Sequence, residues 1–187
     1  MLCGRWRGSL TSQRKATGRP EILYYLLETA HLTLKFKLDS KLEVGTLVYV
    51  DADFASKTTD RRSVSGAMAF VAAMLVVWIS RIQKCVSQST SEAEYLAVDD
   101  GVKEALFVNG MLQFLRRSGR PRKIDVYEDN EGAIALAENP LSSSRSKHID
   151  VRHHLLRNLT EEGVIEITHV PIEEQHADIL TKALTWY

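Results

Sequence analysis

Apolar and polar positions recur with different periods along this chain, and each change of period marks a change of element. After Pro20, apolar residues at Ile22, Leu23, Leu26 and Leu27 fall at helical spacing. Proline suits the first turn of a helix, so residues 21–30 are predicted helical. Residues 31–37 then alternate through Leu32, Leu34 and Phe36 as a strand does, and a polar turn follows over 39–43. From Leu47 the pattern is better organised. Residues 47–54 read as a strand ending in acids, 55–65 as a polar loop with the basic pair Arg61 and Arg62, and the apolar runs 66–72 and 75–80 as two more strands. Three successive strands fold most simply as an antiparallel meander.

Helical spacing takes over at residues 89–117, with Ala93, Leu96, Ala97, Val102, Ala105, Leu106, Leu112 and Leu115 as its apolar positions. Ser89, Thr90 or Ser91 supplies the N-cap, and Gly119 lies past the end. An apolar strand at 124–128 precedes a helix over 130–138, which Asn139 and Pro140 stop. Beyond a serine-rich loop at 142–146 come a helix over 150–162 capped by Gly163, a strand over 164–170 and a last helix over 174–184. This order predicts an α/β protein: a mixed five-stranded sheet, part antiparallel meander and part parallel strands joined by helical crossovers, flanked by helices.

Length limits the organisation. A chain of 187 residues suffices for one ordinary domain and is short for two. We expect residues 1–19 to be a disordered basic leader, 20–46 a connection and 47–187 the domain. With 44% hydrophobic and 26% charged residues, a disordered or fibrous class is excluded. Net charge is zero, yet residues 1–20 carry Arg5, Arg7, Arg14, Lys15 and Arg19 and no acid, which leaves the other 167 at minus five by subtraction. Within that acidic part lie two basic clusters: Arg116, Arg117, Arg120, Arg122 and Lys123, then Arg145, Lys147, His148, Arg152, His153, His154 and Arg157. Such clusters meet phosphates or simply form a solvated face. Cys3 and Cys85 fit no disulfide framework or zinc pattern and point to a reducing compartment. The longest apolar run, 67–79, spans only 13 residues, and no signal-peptide pattern opens the chain. A soluble intracellular protein, cytoplasmic or nuclear and with no membrane partner, is therefore expected.

Four acids stand at strand ends and helix starts, from which side chains converge. Asp51 sits in the first strand of the meander, Glu94 near the start of the long helix, Asp129 directly after an apolar strand, and Asp178 in the first turns of the last helix. Carboxylates brought together unpaired repel one another, so a cluster of them implies a cation. Hard oxygen ligands without histidine or cysteine suit magnesium. Two such ions, about 3.5–4 Å apart, would activate a water and stabilise the leaving oxygen in phosphodiester hydrolysis. Each acid alone also has an ordinary use, as a turn residue or a helix-dipole partner, and spacing leaves both readings open.

The segments YVDADFAS (49–56), DRRSVSG (60–66), SQSTSEAEYLAV (87–98), VYEDNEGAIALAENP (126–140), SRSKHIDVRHHLLR (144–157) and EEQHADILTKAL (173–184) resemble, in order, the ribonuclease H region of copia-type LTR retrotransposon polyproteins. Residues 22–37 are similar to the end of the reverse transcriptase that precedes it. The resemblance implies an RNase H-like fold and a metal-dependent endonuclease that cuts the RNA strand of RNA–DNA hybrids. It assigns Asp51, Glu94, Asp129 and Asp178 as the catalytic, metal-binding set for two Mg2+ ions, with Mn2+ as a substitute. Asp53 and Glu92, each two residues from a chosen acid, are the nearest alternatives. The partners it implies are the hybrid and the reverse transcriptase portion of the same polyprotein. Candidate substrate contacts are Arg61, Arg62, Asn130, Arg145, Lys147, His148, Arg152 and His153.

Phe54, Glu128 and His176 depart from the common family pattern, where Trp, Cys and Leu are frequent. Strand alternation should turn Glu128 away from Asp129, so that it leaves the metals undisturbed. His169 and His176 flank the fourth acid, as proton carriers or as plain surface residues. No polymerase palm is present in these residues, so polymerase activity is not expected of them. Two rival readings stay open: a non-catalytic nucleic-acid-binding or spacer module left by a decayed element, and an integrase-type nuclease, which would want a Glu at Asp178.

Overall fold

The computed structural model describes residues 18–36, 44–116, 122–138 and 147–182. Most of the expected leader 1–19, the polar turn 39–43, the serine-rich loop and Arg145 lie outside them. The chain divides into two compact units, Met1–Lys37 and Leu38–Tyr187. In the first unit, helix α1 spans Gly18–Thr29, three residues earlier than expected. Its Leu23, Tyr24, Tyr25, Leu26 and Leu27 are all exposed. Residues 32–36 are extended but not a strand, contrary to the alternation in their sequence. Alternation makes a ladder only where a second strand accepts the backbone hydrogen bonds, and no described residue does so here.

The second unit is built on a five-stranded sheet in the order β3-β2-β1-β4-β5. Strands β1 (Thr46–Asp53), β2 (Val64–Val71) and β3 (Met74–Ile82) form the antiparallel meander. β4 (Ile124–Glu128) runs parallel to β1, and β5 (Ile165–His169) parallel to β4. Parallel neighbours need crossovers, and helices α2 (Thr90–Arg116), α3 (Glu131–Glu138) and α4 (Lys147–Glu161) supply them. β2 and β3 are joined through Ala72 and Ala73, both at positive φ (50° and 61°), the left-handed pair that a two-residue hairpin turn requires.

One face of the sheet carries the core. Val48 and Val50 of β1, Ala67 and Ala69 of β2 and Ile124 and Val126 of β4 pack with Tyr95, Val98, Val102 and Ala105 of α2. Strand alternation sends the even-numbered residues of β1 to this face. Gly101 permits the close approach of α2: a Cβ there would overlap Val50 and come within 3.2 Å of Ala67. On the opposite face the odd-numbered Tyr49 stacks on Tyr127 at 4.9 Å and meets Phe70 edge-on at 5.9 Å. Asp51 follows Tyr49 on that side.

The last predicted helix, 174–184, is corrected by the structure over 174–182; residues 183 and 184 lie outside the described residues. A 3-10 turn at Ile172–Glu174 gives way to a single-turn helix, α5, at Asp178–Thr181. Between them the side chain of Gln175 donates to the Val50 carbonyl at 2.8 Å and accepts the Ala177 N–H at 3.3 Å. A side chain that takes over backbone partners competes with helical bonding, and this one fastens the break to β1.

Candidate metal centre

α2 begins with reciprocal capping. Ser89 accepts the Glu92 N–H at 3.1 Å, and Glu92 accepts the Gln88 N–H at 2.7 Å. Of the three residues offered by the sequence as cap, Ser89 is the one used. Glu92 is thereby consumed in the cap, while Glu94, two residues on, is turned inward and only 5% exposed. The backbone N–H of Ala52 bonds to its carboxylate.

Behind Glu94 a buried polar network holds the helix start to β2. Gln83 donates from its amide to Ser65 at 2.9 Å and to the Ala93 carbonyl at 2.8 Å, while accepting from Ser87 at 2.9 Å. Sequence reasoning gave Gln83, Ser65 and Ser87 no role. Polar residues in a run of loop character carry no signal of burial.

The parallel strands β1 and β4 bring the acids together. One carboxylate oxygen each from Asp51, Glu94 and Asp129 lies within 4.8 Å of the others. Asp51 is fully buried, and one oxygen on Glu94 and one on Asp129 are buried without a hydrogen-bond partner among the described residues. Buried acceptors lacking donors are costly, and three converging carboxylates repel. The donor set is all hard oxygen. These residues therefore fit a divalent cation of the magnesium class.

Electrostatics shows the same strain. Burial, then Glu128, Asp51 and Asp129 in turn, push the Glu94 carboxyl up to about 10. Burial also raises Asp51, although its bonds with Thr181 and Lys182 pull the other way. Glu128 is fully buried and raised well above the carboxylate range, first by burial.

The expectation that Glu128 turns away from Asp129 and leaves the metals undisturbed is corrected. Glu128 does turn to the helix-facing side of β4, but that side is where Glu94 enters. It adds a further carboxyl to the site, supported by the Asn130 N–H at 3.0 Å. Alternation assigns Glu128 to its face of β4, but the strand ends at Glu128, so Asp129 is not held to the opposite face and its side chain meets the Glu128 carboxyl.

Asp178 is not within the three-acid group. It approaches from α5, with its side chain 17% exposed, and reaches Asp51 through Lys182. The Lys182 ammonium donates to Asp178 at 2.8 Å and to Asp51 at 3.2 Å. Thr181 donates a short bond to the other Asp51 oxygen. Burial lowers the Lys182 pKa, but the two carboxylates outweigh it and hold the ammonium above the ordinary lysine range. Neither Thr181 nor Lys182 was singled out from sequence, yet Lys182 lies four residues after Asp178, on the same side of a helical turn, and that spacing was a usable signal.

Asp53, the strand alternative, is absent from the converging group. Asn130 accepts the Ala133 N–H at 3.0 Å and so caps α3. Arg62 pairs with Asp60 at 2.6 Å, whereas Arg61 is exposed with a positive φ of 58°. Lys147, His148, Arg152 and His153 all fall on α4. His169 contacts the Asp129 carbonyl at 3.1 Å, and His176 packs on Tyr49 with ring centroids 4.5 Å apart.

The sheet order, the helix crossovers and the acids at the ends of β1 and β4 define an RNase H fold. The N-terminal RNase H domain of a Mycobacterium tuberculosis protein, solved as a maltose-binding-protein fusion, superposes with a TM-score of 0.53 at 13% identity, covering 74% of this chain and 91% of that one. Prototype foamy virus protease-reverse transcriptase matches with a TM-score of 0.50 at 17% identity, over 78% of this chain and 21% of the viral one. No profile of a known protein family matches. In sequence, the chain is a homologue of the Pol polyproteins of copia-type retrotransposons. The retrovirus-related Pol polyprotein from transposon TNT 1-94 of Nicotiana tabacum is 35% identical over 163 residues, which is 87% of this chain and 12% of that polyprotein. The chain thus spans about an eighth of the length of this curated relative.

Proposed function

We propose that this chain is a metal-dependent endonuclease that hydrolyses the RNA strand of RNA–DNA hybrids within a retroelement polyprotein. The convergence of Asp51, Glu94 and Asp129 within 4.8 Å, with buried oxygens on Glu94 and Asp129 that no donor among the described residues satisfies, carries the reading. The RNase H fold and the Pol polyprotein relatives support a retroelement function of RNase H type. Magnesium, or manganese in its place, held by these acids supplies Lewis-acid stabilisation of the charge that develops on a phosphodiester undergoing hydrolysis.

The chain's own groups position the reactants. Asp51 and Asp129 hold their carboxylates at the ends of adjacent parallel strands, and Glu94 closes the site from the helix. Glu94 also orients the ribose 2′-hydroxyl, the group that distinguishes RNA from DNA. Arg61, Arg62, Asn130 and the basic residues around α4, Arg145, Lys147, His148, Arg152 and His153, meet the hybrid backbone. That electrostatic share of binding weakens as salt rises. The reverse transcriptase portion of the polyprotein is the proposed partner of α1, whose five exposed apolar residues need a covering surface.

Cleavage of a labelled hybrid with magnesium, compared across wild type, Asp51→Asn and Asp129→Asn, tests the site. Loss of cutting by at least about 100-fold in both variants is expected from removing a charge-stabilising group. Equal activity in all three would discredit it. Salt-sensitive hybrid binding with no magnesium-dependent cutting by wild type would instead favour the non-catalytic module.

A further inference from the structure

The fourth acid and its lysine pose a problem for a site built around two divalent ions. Three acids converge on one another, but Asp178 reaches Asp51 only across the Lys182 ammonium, which bonds both at 2.8 and 3.2 Å. The position between Asp51 and Asp178 therefore already holds a positive charge. Thr181 occupies the second oxygen of Asp51, so that carboxylate is engaged on this side through both of its oxygens. Glu94 and Asp129, by contrast, each keep a buried oxygen with no partner among the described residues. Glu128 Oε2 is left the same way, so the unmet demand for a cation among these acids lies on the Glu94, Glu128 and Asp129 side.

We propose that Lys182 is a resident cation of this centre: its ammonium fills the Asp51–Asp178 position, and Asp51, Glu94 and Asp129 seat a single divalent ion. The inference rests on the metal-centre reading above and sets its stoichiometry at one ion, where the family resemblance implies two. A second divalent ion between the same two carboxylates must displace the ammonium, because cations that share ligands repel strongly at such separations. The lysine is anchored for this role. It follows α5 directly, its backbone N–H bonds to the Asp178 carbonyl at 3.0 Å, and Ser80 on β3 holds the Leu180 carbonyl at 2.6 Å. At 40% exposure its side chain is open enough that its replacement leaves the core intact.

Counting bound Mn2+ by electron paramagnetic resonance, with titration calorimetry in parallel, tests the proposal without reference to activity. Wild type is expected to take one ion per chain, with any second binding at least tenfold weaker. Lys182→Gln is expected to take two of comparable affinity, Lys182→Arg one, and Lys182→Gln combined with Asp178→Asn one again. Two equivalent ions in wild type would overturn the proposal while leaving the metal centre standing, and so would a Lys182→Gln variant that still takes one. Wild type that binds none, or a count unchanged by Asp51→Asn, would overturn the metal centre itself.

Discussion

Gly66 of β2 pairs across the sheet with Asp51, and replacing it with alanine tests how closely α5 must sit. A Cβ built at Gly66 lies 2.7 Å from Thr181 Cγ2, 3.1 Å from the Ala177 carbonyl oxygen and 3.1 Å from Leu180 Cβ. Carbon atoms in contact rest about 3.5 Å apart or more, so the worst overlap is roughly 0.8 Å. All three contacts belong to the segment 177–181, which must therefore lift as a body. Overpacking of this size costs about 1–3 kcal/mol, or roughly 2–12 °C in Tm for a chain of this length. The effect on function should be larger. Lifting the segment draws Thr181 and Lys182 off Asp51, and misplacement near 1 Å costs about 100-fold in rate. Gly110→Ala is the control, since no described residue lies within 4 Å of a methyl added at that position in α2. The assay is magnesium-dependent hybrid cleavage beside a thermal melt for both variants. We expect Gly66→Ala to fold and lose about 100-fold, with Gly110→Ala unimpaired. Cleavage by Gly66→Ala within twofold of wild type would refute the reasoning.

The remaining predictions concern charge and turn geometry. Glu94 titrates near 10 in the fold against an ordinary value near 4.5, so the folded protein without metal keeps a proton that the unfolded chain releases. Its stability is accordingly greatest at low pH and declines as pH climbs from about 4.5 towards 10. Saturating magnesium, which binds the ionised carboxylates, should flatten that slope, and denaturant melts at pH 5, 7 and 9, run as ~2-unit steps with and without the metal, decide this. Glu94→Gln removes the repulsion, so its metal-free form should melt above wild type at pH 8 or so while losing the magnesium-induced rise in Tm; a variant that keeps the rise would show Glu94 is not a ligand. At the β2–β3 turn, Ala73 is exposed and held at φ 61°, so Ala73→Gly should stabilise by about 0.5–1 kcal/mol in urea, and a destabilised variant would contradict the turn assignment.

Much of this architecture was legible before any coordinates. Period-two and helical patterns located the five strands and helices α2, α3 and α4 to within a few residues, because burial on one face forces that periodicity. The four acids were marked by their places at strand ends and helix starts together with the family resemblance. Two local patterns misled. Residues 31–37 alternate with no strand among the described residues to pair with, and residues 174–184 have helical spacing interrupted by a glutamine that bonds to β1. Both depend on partners distant in sequence.

The sequence by itself determined the order of elements, the inward and outward faces of each strand, and which residue types were available for a cation. The tertiary structure alone decided that Glu128 meets Glu94, that Lys182 lies between Asp51 and Asp178, and that Gly66 leaves room for α5. Local periodicity reports only which side of its own element a residue occupies. Which residue waits on that side is set by crossovers that join positions as far apart as Asp51 and Lys182, and no local pattern encodes that distance.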